Sequence, residues 1–375
     1  MILAIDASNI ILESGGFIHL KQLLVNFNEK KIKKIYVFSS QKIIEGLKIK
    51  NKKIYFINHK YLNRGIFYRI FWQIFILNKS LYKFKCSSLF VLGGYFFIKI
   101  MPTFMILQNL LPFIKNPSYY ESLSNKIRNY ILYRLHSYSI KKSDGIIYLS
   151  NYSKKIINFP NITNIVVPHG VERQFFFKKK INYKSDKKFK ILYLSKLEGY
   201  KNHINVVKSI YRLLKQGFPI SLTLLGVDNL KYKNLELFNY ISQINKEFPQ
   251  TIILQKLRKH SEIHKVYRKY DLHVFGSLCE SFGIIILETI ASSLPIVCTN
   301  FPVFKEILNK NTLYFNGQNS NSISNCIMQY INKDELKISN TSKLFKRAKL
   351  FKWKATSKNT FNFLVKEYEK NKRII

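Results

Sequence analysis

Cysteine is sparse in this chain. Cys86, Cys279, Cys298 and Cys326 are the four among 375 residues, and their spacing fits neither a paired metal site nor a disulfide framework. Zinc modules and disulfide-stapled folds are excluded, and a reducing cytoplasm is the expected setting. The opening MILAIDASN carries Asp6 inside its apolar run and has no basic region followed by an apolar stretch and a small-residue cleavage site, so no secretory signal is expected there. Long apolar runs are missing too. The best candidate for a membrane span, Cys86 to Ile114, is interrupted by one charge, Lys99, but it also contains Gly93, Gly94, Pro102, Gln108 and Asn109, which favours two short buried strands joined by a turn. No Ser/His/Asp or Cys/His arrangement, short internal repeat, compact basic arm or nucleic-acid motif is visible.

Apolar and basic residues are what the chain has in quantity. Hydrophobic residues make up 47% and aromatics 15%, enough to bury a core, so disorder is excluded for the bulk of the chain and about two domains are expected. Lys and Arg number 62 against 21 Asp and Glu, a net charge of +41. Such a balance suits a nucleic acid or anionic-lipid partner. Heavy use of Lys over Arg, with much Ile, Asn, Phe and Tyr, is equally the mark of an A+T-rich coding sequence. The charge is spread along the chain, and no nucleic-acid partner is expected.

Short runs of Ile, Val, Leu and Phe recur, each followed by a stretch with helical spacing, the pattern of parallel strands joined by crossover helices. One series of strands runs from Ile2 through Ile165, and a second from Ile191 through Phe315. The charge-dense FKKKINYKSDKKFK, Phe177 to Lys190, separates them as an exposed connection. The expected organisation is a first domain over 1–177, a linker over 178–190, a second domain over 191–345 and a C-terminal helix over 346–375 that returns to the first. A single helix is expected over Arg64 to Asn78.

The most informative stretch is CESFGIIILETIASSLP, Cys279 to Pro295. Glu280 ends a strand-to-helix loop, Phe282 and Gly283 open a helix whose amides suit phosphate or sugar oxygens, and Glu288 falls about two turns on. At 3.6 residues per turn, eight positions set the two carboxylates within roughly 80 degrees of each other. A solvated helix face is the plainer reading, but Glu288 sits in an apolar helix, and a buried Glu needs a partner. One carboxylate could bind sugar hydroxyls and the other a ribose diol.

These residues resemble the Glu, seven residues, Glu signature of retaining glycosyltransferase family 4, also called glycosyl transferases group 1. The resemblance extends along nearly the whole chain. DASNIILESGGFIHLKQLL resembles the family's Gly-rich loop after the first strand, with Gly15 and Gly16 where backbone approaches donor phosphate and acceptor. IVVPHGV resembles the segment before the interdomain crossover. In YLSKLEGYKN, Lys196 and Lys201 fall where the family has an Arg and a Lys that clamp the donor diphosphate. The resemblance implies an α/β fold of two Rossmann-like doubly wound domains facing a central cleft (GT-B). It also implies a retaining transfer of a hexosyl unit from a nucleoside diphosphate sugar to a saccharide acceptor, lipid-linked, in cell-surface polysaccharide or lipopolysaccharide synthesis.

No Asp-x-Asp pair is present, so the expectation is a metal-independent enzyme with no cofactor besides the donor, in which Lys196, Lys201 and helix-end amides stabilise the diphosphate. Two departures from the family pattern stand out. Where many members carry a His near the transferred sugar, FMILQNLLPF offers Gln108 or Asn109, amides that can hydrogen-bond but not take up a proton. Lys196 replaces the more usual Arg and gives up bidentate geometry. Apart from the resemblance, Tyr61 to Lys85 sets Phe67, Ile70, Phe71, Ile74 and Phe75 on one face among basic residues. It reads either as a core-facing crossover helix or as contact with an anionic membrane surface, at the inner face of the plasma membrane. A nucleotide-sugar epimerase, a sugar phosphorylase and a basic nucleic-acid-binding protein are the alternative functions.

Overall fold

The computed structural model describes residues 1–114, 122–178, 188–227 and 234–372. Seven short apolar runs form strands β1 (Ile2–Asp6), β2 (Lys34–Phe38), β3 (Ile54–Ile57), β4 (Ser88–Val91), β5 (Thr103–Leu107), β6 (Gly145–Tyr148) and β7 (Asn164–Val166). They pair in parallel in the order β3-β2-β1-β4-β5-β6-β7. Six more, β8 (Phe189–Leu194), β9 (Ile220–Leu225), β10 (Ile252–Gln255), β11 (Leu272–Phe275), β12 (Ile296–Thr299) and β13 (Leu313–Phe315), form a second parallel sheet ordered β10-β9-β8-β11-β12-β13. Both central strand pairs are buried except at the first residues of β1 and β8, as expected where helices cover both faces of a parallel sheet.

The fold class read from the sequence therefore holds: α/β, with two doubly wound, Rossmann-like sheets. The chain divides into two units. The first takes residues 1–114, 122–170 and 352–372, and the second takes 171–178, 188–227 and 234–351. It leaves the first unit after Gly170, a few residues ahead of 177, because the turn Arg173–Phe175 already packs within the second. There the Phe175 ring lies 5.3 Å from His260, and its carbonyl accepts from Ser292 Oγ at 3.2 Å. Gly170 has no alternative: a Cβ there would stand 2.1 Å from the Trp353 backbone nitrogen.

In the first sheet, the β3-to-β4 and β5-to-β6 connections both step towards β7. Right-handed crossovers put their helices, Ile66–Phe75, Leu77–Lys83 and Leu123–Lys142, on one face of that sheet, and Gly15–Val25 and Gln41–Leu47 on the other. The C-terminal helix Trp353–Lys372 packs beside Gly15–Val25, with Ser357 Oγ donating to Leu23 O at 2.9 Å and Phe361 stacked edge-on against Phe27.

Three details differ from the sequence reading. The single helix expected over Arg64 to Asn78 is broken at Ile76, which caps one helix and opens the next. The helices Gln41–Leu47, Pro302–Leu308 and Asp334–Ala348 were not expected; two are about two turns long and the third is mostly polar. Of the expected linker 178–190, residues 179–187 lie outside the described residues, while Phe189 and Lys190 already pair with Ile220 and Ser221.

Candidate functional site

Strands β8 and β11 lie side by side in the second unit, and the loops beyond their carboxyl ends carry most of the expected residues. Asn202, in the left-handed conformation at φ 60°, ties these loops together: its amide donates to Gly317 O at 2.6 Å and to Gly276 O at 3.3 Å. Leu278 N donates to Tyr200 O at 2.8 Å, and Tyr193 OH donates to Lys201 O. So anchored, the Lys201 ammonium forms an ion pair with Glu280 Oε1, both side chains being mostly withdrawn from solvent, and it lies 4.8 Å from the Tyr200 ring centroid. Burial, aided by the Glu198 and Glu280 carboxylates, raises the Tyr200 hydroxyl well above its ordinary pKa, so it stays a neutral donor. Burial likewise pushes the Cys279 thiol up to about 12 and rules out a thiolate beside Glu280. Lys196 is exposed.

Glu288 has other partners. It is 3% exposed and accepts from His260 Nε2 at 2.6 Å and from Tyr267 OH at 3.2 Å. The other imidazole nitrogen, Nδ1, faces Glu172 Oε1 at 3.3 Å. The angular relation read from the sequence is thereby corrected. Gly283, at φ +97°, caps the helix that starts only at Ile284, so Glu280 lies in the preceding loop and shares no helical face with Glu288. Phe282 is buried in that loop, its ring 6.2 Å from Phe351. Beside His260, a pocket of about 480 Å³ opens after β10, lined by Gln255, Lys256, Leu257, Arg258, Lys259 and Glu262.

His260, Tyr267 and Glu172 were not found from the sequence. The one signal was that a Glu in an apolar helix must have a partner; which of eight His residues would supply it is a tertiary matter.

In the first unit, Gly15 opens the helix Gly15–Val25, whose N-cap Ser14 accepts from Phe17 N at 3.2 Å. A Cβ on Gly16 would come within 3.2 Å of Gln108 Oε1, so the Gly-rich loop and the end of β5 meet. Asn109 is turned to a local task, its Oδ1 accepting from Leu111 N at 3.1 Å. His169 pairs with His19, Nδ1 to Nδ1 at 3.0 Å, against Trp353. Burial holds His19 down at about 3 and His169 well below its ordinary value, so both imidazoles are neutral near pH 7.

Residues 174–348 match the family model of the glycosyl transferases group 1. The resemblance read from the motifs is met over the part of the chain that carries Lys196, Lys201, Glu280 and Glu288. The serotype-specific mannosyltransferase WbdA of Escherichia coli is 24% identical over 136 residues, which are 36% of this chain and 16% of that protein; the chain thus spans a small part of its length. Among solved structures, sucrose-phosphate synthase from Thermosynechococcus elongatus aligns with a TM-score of 0.75 at 13% identity, over 98% of this chain and 99% of the other. HepE of Anabaena in complex with UDP-glucose aligns at 0.71 and 14% identity, over 97% and 99%. A glycosyltransferase from Rickettsia africae aligns at 0.67 and 16%, over 99% and 98%. These likenesses establish the fold as that of GT-B glycosyltransferases. No helix among the described residues is long and apolar enough to cross a membrane.

Proposed function

We propose that this chain is a retaining, metal-independent glycosyltransferase that moves a hexosyl unit from a nucleoside diphosphate sugar to a saccharide acceptor carried on lipid, in cell-surface polysaccharide or lipopolysaccharide synthesis. The observation that carries the reading is the Lys201–Glu280 pair, held on locked loops at the ends of β8 and β11 inside the stretch that matches the family. The similarity to a mannosyltransferase and to a UDP-glucose complex supports a hexose on a nucleoside diphosphate. The reading sets the enzyme in the cytoplasm, peripheral to the inner face of the membrane.

In this mechanism the bond from the anomeric carbon to the diphosphate oxygen breaks while the acceptor oxygen bonds to the same face. The departing phosphate oxygen takes the acceptor's proton. Charge grows on the diphosphate, and Lys196, Lys201 and the amides around Phe282 and Gly283 stabilise it. A carboxylate has about four acceptor positions, so Glu280 can hold a sugar hydroxyl while paired with Lys201. Glu288, with two positions given to His260 and Tyr267, can take a ribose hydroxyl, and the pocket after β10 takes the base. On the first unit, Gly15, Gly16, Gln108 and Asn109 serve substrate positioning. The test is mass spectrometry of products from a panel of nucleotide sugars and lipid-linked acceptors. A glycosylated product is expected, lost in Glu280→Ala; an unchanged rate in that variant removes the reading.

A further inference from the structure

Crossover helices ordinarily turn apolar side chains inward and polar ones outward. Two helices of the first unit depart from this, with polar side chains among those turned inward and large apolar ones turned outward. In Ile66–Phe75 the core side holds Trp72 and Gln73, while Phe67, Phe71 and Phe75 are 83%, 45% and 56% exposed. In Leu123–Lys142 the core side holds Asn129, His136, Ser139 and Ile140, while Ile127, Tyr130 and Ile131 are 54%, 62% and 51% exposed. Spaced at i, i+3 and i+4, these last three form a single outward stripe. The inward polar groups are accommodated: Ser139 Oγ bonds the backbone of Phe96 in both directions at 2.9 and 3.0 Å, and burial keeps His136 neutral, at about 4. The outward turn of these apolar side chains is therefore a settled part of the fold.

Charge supplies the second observation. Neither Tyr61 to Lys85 nor Leu123 to Lys142 contains an Asp or Glu, and the second helix alone carries Lys126, Arg128, Arg134, Lys141 and Lys142. The crossover rule places both helices on the same face of the first sheet. Exposed aromatic and branched side chains set among cations, with no anion present, complement a surface that is negative outside and apolar beneath.

We infer that this face docks on an anionic lipid bilayer. Both helices lie in the plane of the headgroups, the Phe and Ile side chains reach the acyl boundary, and Lys and Arg extend to the phosphates. A second copy of the chain is a poor occupant, since two acid-free faces repel. A nucleic acid answers the charge but leaves Ile127 and Ile131 in water. The inference extends the proposed function from a membrane-side location to a two-helix surface, and it needs no transferase chemistry.

The experiment uses the full chain and phosphatidylglycerol-containing vesicles against pure phosphatidylcholine vesicles, in a flotation assay. Tight binding to the anionic vesicles alone is expected. Ile127→Ser with Ile131→Ser, and separately Phe67→Ser with Phe71→Ser, should each weaken it at least tenfold, with the thermal midpoint and nucleotide affinity unchanged. Hydrogen exchange, which needs no variant, should slow in both helices when anionic vesicles are added. Undiminished binding in the Ile127/Ile131 variant overturns the inference, as does equal binding to both vesicle types or tighter, stripe-dependent binding to single-stranded RNA. Failure of catalysis with normal vesicle binding would instead count against the transferase reading alone.

Discussion

At the carboxyl ends of β8 and β11, opposite charges meet in the Lys201–Glu280 pair, and elsewhere in the same unit His260 bonds Glu288 and faces Glu172. At the corresponding ends of β1 and β4 in the first unit, the titratable groups are buried among neutral hydrogen-bond partners. Asp6 is 1% exposed, and burial raises its pKa despite hydrogen bonds from Ser8 and Gln73. His136, beneath the Gly93–Gly94 turn, is kept neutral. Both units share a parallel sheet that is ordered outward from a central strand pair, so the difference is one of side chains and not of scaffold. A step that separates charge needs fixed charges already in place. Hydroxyls can be recognised by neutral donors and acceptors as well as by carboxylates. If the proposed function holds, this contrast suits the second unit to the diphosphate and the first to an uncharged saccharide.

The largest effect should come from cutting the buried relay of the second unit. His260→Ala leaves Glu288 without its nearest hydrogen-bond partner in a site that is 3% exposed, and stranding a buried charged group costs about 3 kcal/mol. Urea unfolding should show a loss of that order, with the first unit's transition unmoved if the units unfold separately. His260→Gln, which keeps one hydrogen bond, should recover part of it. A loss below the error of the measurement would mean the relay is not a structural element and the contrast between units is weaker than drawn.

Next in size is catalysis. Glu280→Ala should lower turnover at least tenfold, about 1.4 kcal/mol in the barrier, with donor affinity less affected, whereas Glu288→Ala should mainly weaken the donor. Steady-state kinetics with both substrates varied separates the two. Equal effects on affinity in both variants would remove the division of labour between the carboxylates.

Acid should act on both units, through histidines outside the charged cluster. His19 in the first unit and His203 and His273 in the second are held by burial at about 3, against 6.5 when free. Below 6.5 the unfolded chain binds protons that the folded chain refuses. The stability these residues support is thus complete above pH 6.5 and declines as the pH falls towards 3. The slope is at most about 1.4 kcal/mol per pH unit for each residue. Denaturation midpoints between pH 7 and pH 5 check this, and His19→Gln should flatten the decline in the first unit only.

How legible all this was in the sequence depends on the range of the interaction. The two strand series stood out because a strand of a two-sided parallel sheet is a short, nearly continuous apolar run, as in Leu272–Phe275 and Thr103–Leu107. Helices with weak or polar faces, such as Asp334–Ala348, left no comparable mark. Lys201, Glu280 and Gly283 were legible as motif members. Their pairing was not, since it depends on Asn202 and Tyr193 drawing two loops together. The outward turn of Phe67, Phe71 and Phe75 was undecidable from periodicity, which marks an apolar face without saying what it meets.

The smallest expected effects concern the two lysines, and they sharpen the comparison most finely. Lys201 is pinned by Glu280 and its neighbouring loop, whereas Lys196 is exposed, so only Lys201 is preorganised in the unliganded protein. An exposed ammonium must give up hydration and side-chain entropy to bind phosphate, and its net contribution is about 0–1 kcal/mol by analogy with surface ion pairs. Lys196→Gln should therefore weaken nucleoside diphosphate binding by no more than about fivefold, and Lys201→Gln by more, because it also leaves Glu280 unpaired. Lys196→Arg should improve on the native residue, since a guanidinium reaches two phosphate oxygens at once. If these fixed cations serve in place of a metal, calorimetry and turnover should be the same with EDTA and with millimolar Mg2+. A requirement for the metal would transfer the diphosphate charge to an unassigned carboxylate site and leave the lysines with only a supporting part.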